Sequence, residues 1–523
     1  MNKWILIILS LAFLSNVCAY KILVAFAYPG KSHSILGEGY VRHLLEAGHE
    51  VTYITAHPYK KPHPNLRQIL ITSVIDKFEF AQSLDVTKML AKEVDFKDMF
   101  GIYEVMVTIA NRSLTHENVQ KFMMDPNEKF DLVIAEWLYH HLYAGFATIF
   151  NCPYIWSSSL EPHPVVLDLI DEVGNPAYFP DHMSPISPPF SFTERVSELW
   201  NLIYLYRVLW FVRDTEEQAF RDSFGVAAAK RGITLPNLYD LKYNSSMMLA
   251  NSHYSLGDPQ RLPTNYVGIG GYHIQDEIPP LPKDLQKLMD SATDGVIYFS
   301  LGSMVRSETI PVELKTELLK AFSKLKQTII WKFDGELENV PKNVHIVKWA
   351  PQPSILAHPN AKIFVTHGGL LSTTETIHYG VPIIGIPLFS DQFLNIKRAV
   401  RKGFALEVPL AYDTPAKLEI AIKEILSNPK YREKVKELSF IYHHRETKPG
   451  KTLVHWVEHV IQTKGAPHLQ SPALHVPLYQ KLYLDLLALI ILGLMIVKRV
   501  LKALCCSKSQ NKKKGEDKKK KRS

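Results

Sequence analysis

Twice along this chain, short runs of β-branched and aromatic residues alternate with longer helical patterns. The first series opens with a strand at 21–26, a turn at Tyr28-Pro29-Gly30, a helical stretch to Ala47 and a strand at 50–55. It continues with a strand at 130–135, a helical stretch at 140–150 and a strand at 153–156. The second series starts near Asp294, with strands expected at 296–300, 328–332, 344–348, 362–366 and 382–386. Apolar runs separated by crossover helices specify parallel sheets. A chain of 523 residues is also too long for one core. The expectation is an α/β protein of two Rossmann-like domains, 20–274 and 293–465, with ligand in the cleft between them. The proline-rich stretch from Gln275 to Leu285 marks a linker, taken as 275–292. The segment from Glu161 to Phe190 reads as a long loop walling a binding site. An aromatic-rich helical stretch follows at 191–224, and terminal helices between Leu426 and Lys464 are placed to cross back onto the first domain.

The two ends carry different signals. Lys3, an apolar run from Ile5 to Phe13 and Val17-Cys18-Ala19 have the form of a secretory signal peptide, residues 1–19. After a juxtamembrane segment at 466–477, residues 478–497 are twenty mostly apolar residues, about 30 Å as a helix, and predict one transmembrane span. The tail at 498–523 is dense in Lys and Arg, which by the positive-inside rule makes it cytoplasmic and the body lumenal. Its lysines near the C-terminus resemble a retrieval signal for the endoplasmic reticulum. The net charge of +8 therefore sits in the tail, and a basic nucleic-acid surface on the folded body is excluded. Cys152 is the one cysteine left in the body, so no disulfide forms there, and its place beside Pro153 reads as core. Asn111 and Asn244 head glycosylation triplets compatible with a lumenal body.

The densest signal runs from Trp349 to Gln392. It contains Trp349-Ala350-Pro351-Gln352, then Thr366-His367-Gly368-Gly369, Ser372 and Glu375, then Asp391-Gln392. A strand ends at Thr366 and a helix starts at the glycines. Glycine permits close backbone approach, and a helix start presents free N–H groups and a positive dipole end, which suits a diphosphate. Trp349 offers a face for a base. Glu375 accepts from ribose hydroxyls. Asp391 and Gln392 suit sugar hydroxyls.

These elements in this order resemble the signature segment of the UDP-glycosyltransferase family, most closely the membrane-bound animal enzymes of invertebrate type. The likeness extends to Phe299-Ser300-Leu301-Gly302-Ser303-Met304, to Trp331-Lys332-Phe333-Asp334-Gly335 and to both termini. It implies the GT-B fold, with a UDP-sugar as co-substrate. It further implies that Trp349 stacks on uracil, that Ser303, Gln352, His367, Ser372 and Glu375 hold the nucleotide, and that Asp391 and Gln392 hold the sugar. Gly368 and Gly369 lie at the diphosphate. Lys332 stands where many relatives have Arg, losing the bidentate fork.

Transfer to a hydroxyl needs a base, and the family's catalytic histidine matches His33, just past the first strand. Glu136, at the end of a neighbouring strand, is the candidate partner that orients it, where vertebrate relatives usually have Asp. The expected reaction is an inverting displacement onto a small lipophilic acceptor. No Asp-x-Asp triplet occurs, so no metal is signalled. The resemblance to the invertebrate-type enzymes favours UDP-glucose over UDP-glucuronate, and a homo- or hetero-dimer is compatible with the family. Two alternatives remain open on sequence: a non-catalytic UDP-sugar-binding membrane protein, and a lipid-specific transferase of ceramide type.

Overall fold

Strand β1 (Lys21–Phe26) is buried from its second residue to its last, as a strand covered on both faces must be. Its side chains alternate between two cores. Ile22, Val24 and Phe26 join one apolar cluster, and Leu23 and Ala25 join another. The computed structural model describes residues 19–75, 84–94 and 98–520, with side chains as far as Leu504. The expected signal peptide, apart from Ala19, lies outside the described residues, as do the side chains of most of the basic tail.

The first sheet continues with β2 (Glu50–Thr55), β3 (Leu66–Leu70), β4 (Leu132–Trp137), β5 (Tyr154–Ser158), β6 (Met248–Ala250) and β7 (Tyr266–Gly268). The second contains β8 (Val296–Ser300), β9 (Thr328–Lys332), β10 (Val344–Val347), β11 (Ala361–Thr366), β12 (Ile383–Gly385) and β13 (Ala405–Glu407). Their orders are β3-β2-β1-β4-β5-β6-β7 and β10-β9-β8-β11-β12-β13. Every pairing between these strands is parallel. In each sheet the order reverses beside its first strand, between β1 and β4 and between β8 and β11. A crevice opens beyond the carboxyl ends of strands at such a reversal, and both binding regions lie there.

The helices that position the site and frame the domains are α1 (Lys31–Glu46), α2 (Met99–Leu114), α3 (Phe192–Arg231), α4 (Lys283–Ser291), α5 (Leu370–Tyr379), α6 (Gln392–Arg401), α7 (Pro449–Gln462) and α8 (Leu484–Lys520). Helix α3 is 40 residues long and outlasts its expected end at Phe224. It starts with a Ser191–Glu194 capping box and stops at Gly232, whose φ of 69° is a glycine conformation. Helix α4 falls inside the segment expected as linker. Leu285 and Met289, one turn apart, pack beside Val296 and Tyr298, so this helix shares the second domain's core. Helix α7 returns to the first domain, where Leu453, Val457 and Val460 pack with Ile22, Val24 and Leu44.

The two glycosylation triplets sit differently in the fold, and the C-terminal segment differs from the sequence expectation. Asn111 lies in α2, where its amide oxygen accepts from Ser223 Oγ at 2.7 Å. Ser113 of the same triplet is buried and donates to the Ala27 carbonyl at 3.1 Å, and Asn244 is exposed just after a turn. The C-terminal segment Ser471–Ser523 is a unit of its own. The span expected at 478–497 is not one helix there. A short turn at Leu478–Lys481 is followed by Tyr483 at φ 54°, and α8 starts after it. Among the described residues no helix is long and apolar enough to cross a membrane. Charges at Asp485 and Lys498 bracket the most apolar part of α8.

Candidate active site

One cavity of about 800 Å³ is lined by residues of both domains. His33, Ser303, Trp349, Gln352, His367, Gly369, Ser372, Glu375, Asp391 and Gln392 all line it. Glu136 and Gly368 do not. They lie just behind, Glu136 against His33 and Gly368 under α6.

On the first-domain side, Gly30 caps α1, which places His33 in the first helical turn after β1. Glu136 is the fifth residue of the adjacent β4 and is wholly buried. His33 Nδ1 lies 2.5 Å from Glu136 Oε1. The Tyr28 ring stands edge-on to the imidazole at 4.6 Å between centroids. A carboxylate on Nδ1 fixes the proton there and leaves Nε2 as the basic nitrogen, which is the arrangement a general base requires. His140 and His141 have no part in this. His141 is locked by its backbone N–H and its ring onto the buried Glu216 of α3, with ring contacts of 3.0 and 3.1 Å. Among the residues whose side chains are described, Cys152 is a free cysteine, and burial pushes its thiol up to about 12, which removes it as a nucleophile.

On the second-domain side, the loops after β8 and β11 interlock. Gly302 has a φ of 87°, and a Cβ there would lie 2.6 Å from the His367 ring. Gly368 has the same φ and abuts Ile396 of α6, where a Cβ would meet Cγ1 at 2.5 Å. These two glycines let the backbone turn tightly while α5 starts at Leu370 behind Gly369. Burial, with a contribution from Lys332, holds the His367 imidazole down at about 4, so it meets a ligand as a neutral donor. Gln352 Nε2 donates to Ser372 Oγ at 3.0 Å and to Glu375 Oε2 at 2.7 Å, joining three expected nucleotide residues in one network. Trp349 is 58% exposed, and the Lys332 ammonium lies 5.9 Å from its ring centroid.

The sugar residues differ from one another. Gln392 is buried, and its Oε1 accepts from the backbone of Leu388 at 2.9 Å and Phe389 at 3.2 Å, so only its amide nitrogen remains for a ligand. Asp391 is less enclosed. Asn395 Nδ2 donates to Asp391 Oδ2 at 2.7 Å and to the Gly368 carbonyl at 3.0 Å. Burial raises the Asp391 carboxyl pKa, and the Asn395 bond opposes that rise. Sequence reasoning missed Asn395, although its place one turn after Asp391 was a usable signal. It also missed Tyr139, which lines the same cavity, and His273, whose Nε2 lies 3.7 Å from Glu375 Oε1 across the domain boundary. Among the described residues no group of three or more His, Cys, Asp or Glu side chains converges as metal ligands.

The family model described as UDP-glucoronosyl and UDP-glucosyl transferase matches residues 21–521. The chain is a member of the UDP-glycosyltransferase family. It is 33% identical over 497 residues to UDP-glycosyltransferase UGT5 of Dactylopius coccus, covering 93% of this chain and 91% of that one. It is 30% identical over 513 residues to UDP-glucuronosyltransferase 2B15 of Rattus norvegicus, covering 94% of each. Among solved structures, Arabidopsis thaliana UGT89C1 complexed with UDP superposes with a TM-score of 0.55 at 17% identity, over 84% of this chain and 100% of that one. The kitacinnamycin glycotransferase gives 0.54 at 18% identity, over 84% and 98%. The fold is GT-B, and the UDP-glycosyltransferase transfers a hexosyl group from a UDP-sugar.

Proposed function

We propose that this UDP-glycosyltransferase inverts the anomeric centre of a UDP-hexose, glucose in preference to glucuronate, in transfer to a hydroxyl of a small lipophilic acceptor. The observation that carries the reading is one cavity lined by His33, with Glu136 directly behind it, and by the interlocked loops at Gly302 and His367. His33 Nε2 takes the acceptor proton as the acceptor oxygen attacks the anomeric carbon. Glu136 stabilises the imidazolium so formed. UDP leaves toward Gly369 and the start of α5, where backbone N–H groups and the His367 N–H meet the developing charge. Trp349 stacks on uracil, Ser303, Ser372, Gln352 and Glu375 hold the nucleotide, and Asp391 with the Gln392 amide holds the sugar. Ile102, Met106, Leu138, Leu160 and Met183 give the first-domain side of the cavity an apolar lining suited to a lipophilic acceptor.

The test is transfer to a panel of small phenols, wild type against His33→Ala, with UDP-glucose and UDP-glucuronate offered separately. A loss of roughly a hundredfold or more in His33→Ala supports a general base. NMR of the product reports the anomeric configuration, and retention would sink the single displacement. Binding of UDP with no transfer to any phenol would point to a narrow lipid acceptor instead.

The location proposed is the membrane of the endoplasmic reticulum, with a lumenal body and a single C-terminal anchor. In its support, Leu484, Leu489, Ile490, Leu494, Ile496, Val500 and Leu504 of α8 are all about half exposed or more. Lys498 and Arg499 have stems long enough to reach a headgroup region from within such a helix. Extraction at alkaline pH should leave the full chain in the membrane pellet and release a chain ending at Gln470. Release of both would remove the anchor.

A further inference from the structure

Helix α6 carries a polar face from one end to the other. Asp391, Asn395 and Arg398 follow at spacings of four and three residues, so they share that face. At its start Asp391 and Gln392 line the cavity, and Asn395 ties Asp391 to the Gly368 carbonyl. Two turns on, about 10 Å along the axis, Arg398 Nε donates to Asp258 Oδ2 at 2.9 Å. Arg401, at the helix end, donates to the other oxygen, Asp258 Oδ1. Asp258 belongs to the first domain, in the loop between β6 and β7. The Arg398 side chain is 4% exposed and that of Asp258 8%. Leu256 of the same loop joins Ile396 and Ala399 of α6 in one apolar cluster.

The same place meets both ends of the segment 161–190, whose Met183 lines the acceptor side of the cavity. Glu161 Oε1 accepts from the His253 backbone at 3.3 Å, and a Cβ on Gly257 would meet Glu161 Oε2 at 2.2 Å. At the far end the Pro188 carbonyl accepts from Arg401 at 2.8 Å.

A buried guanidinium without a counter-ion is costly, and a buried ion pair returns little beyond that cost. The value of this pair is geometric. Each oxygen of Asp258 is committed to a different arginine, and only one setting of α6 against the first domain satisfies both. That setting decides where the start of α6 presents Asp391 and the Gln392 amide.

We propose that Asp258 is a positioning residue for the donor sugar: through Arg398 and Arg401 it sets α6, and with it Asp391 and Gln392, against the hexosyl group. Arg401 shares that setting with the acceptor wall at Pro188. The proposal rests on the donor-site reading, in which Asp391 and Gln392 hold the sugar, and names residues that reading does not use.

The experiment is calorimetric binding of UDP and of UDP-glucose to the full-length protein. The quantity read is the ratio of the two dissociation constants, since UDP carries no sugar to meet α6. Asp258→Asn weakens both arginine bonds. Arg401→Gln acts from a partly exposed position and leaves the buried Arg398 paired, so it decides the matter where Asp258→Asn does not fold. Each variant should bind UDP-glucose roughly fivefold more weakly, the scale of one hydrogen bond, and UDP within about twofold of wild type. A merely structural role would weaken both ligands alike, and that result in Arg401→Gln overturns the proposal. Asp391→Asn, measured beside them, tests the sugar site itself. A ratio shifted by Asp391→Asn but unchanged in Arg401→Gln overturns the proposal alone. A ratio unchanged by Asp391→Asn overturns the sugar reading, and the proposal with it.

Discussion

His33 and Glu136 stand 103 residues apart in the sequence and 2.5 Å apart in the fold. The contact exists because β1 and β4 are hydrogen-bonded neighbours, with Ala25 level with Ala135, so that both strands deliver their ends to one edge of the sheet. The length of the acidic side chain is then fixed by the backbone on either side of it. Glu136→Asp withdraws the carboxylate by about 1.5 Å, in a place too buried for water to make good the loss. The expected result is a fall in kcat of roughly tenfold with unchanged UDP affinity, read by steady-state kinetics beside calorimetry.

Gly302→Ala tests the interlock of the second-domain loops. A methyl group there meets the His367 ring, and a φ of 87° is strained for any side chain. The backbone strain alone is worth about 1–2 kcal/mol, and displacement of His367 adds a loss of donor affinity. Thermal unfolding and UDP binding should both weaken. A variant with the wild-type melting temperature and wild-type UDP affinity would contradict the packing described.

His367 is expected to stay neutral in solution well below its usual range, since burial and Lys332 hold it at about 4. Its ring resonances in NMR should keep the neutral form down to about pH 5. Lys332 is then the nearby cation available to the diphosphate, and Lys332→Met should weaken UDP binding by roughly tenfold, with less dependence on salt. An unaltered salt dependence would remove Lys332 from the donor site.

Glu161 gives a pH signature of stability. Burial raises its carboxyl to about 7, against the partial opposition of Arg398. A carboxyl whose folded pKa exceeds its unfolded value takes up a proton on folding. Its contribution to stability is therefore lost as pH rises from the ordinary carboxylate range through about 7, by on the order of 3 kcal/mol. Glu161→Gln should flatten the decline in melting temperature between about pH 5 and pH 8. A decline of the same steepness in the variant would assign it to other groups.

Much of the architecture was legible in the residues themselves. Strands β8 and β9 fall where their apolar runs place them, because a strand buried on both faces leaves an uninterrupted signature. The three-residue strands β6, β7 and β13 did not stand out, since so short a run has no period to read. The donor segment was visible because its parts are close in sequence. The approach of His273 to Glu375 was not, because residues so far apart in sequence meet only in the packed domains. Helix α4 was hidden by the prolines before it, and the start of α8 by a backbone break at Tyr483 that composition does not encode.

The return of α7 has a mechanical consequence. The polypeptide passes between the domains at Asp276 and again near Lys448, and these two residues form an ion pair at 2.9 Å. Two passages of chain side by side act like the paired leaves of a door hinge. They leave swinging about their common line as the cheapest relative movement and resist sliding or twisting. Two passages so placed hold the halves to one register, and the Arg398–Asp258 ion pair at 2.9 Å holds the same relation elsewhere on the boundary, so that His33 faces the donor loops in a fixed position.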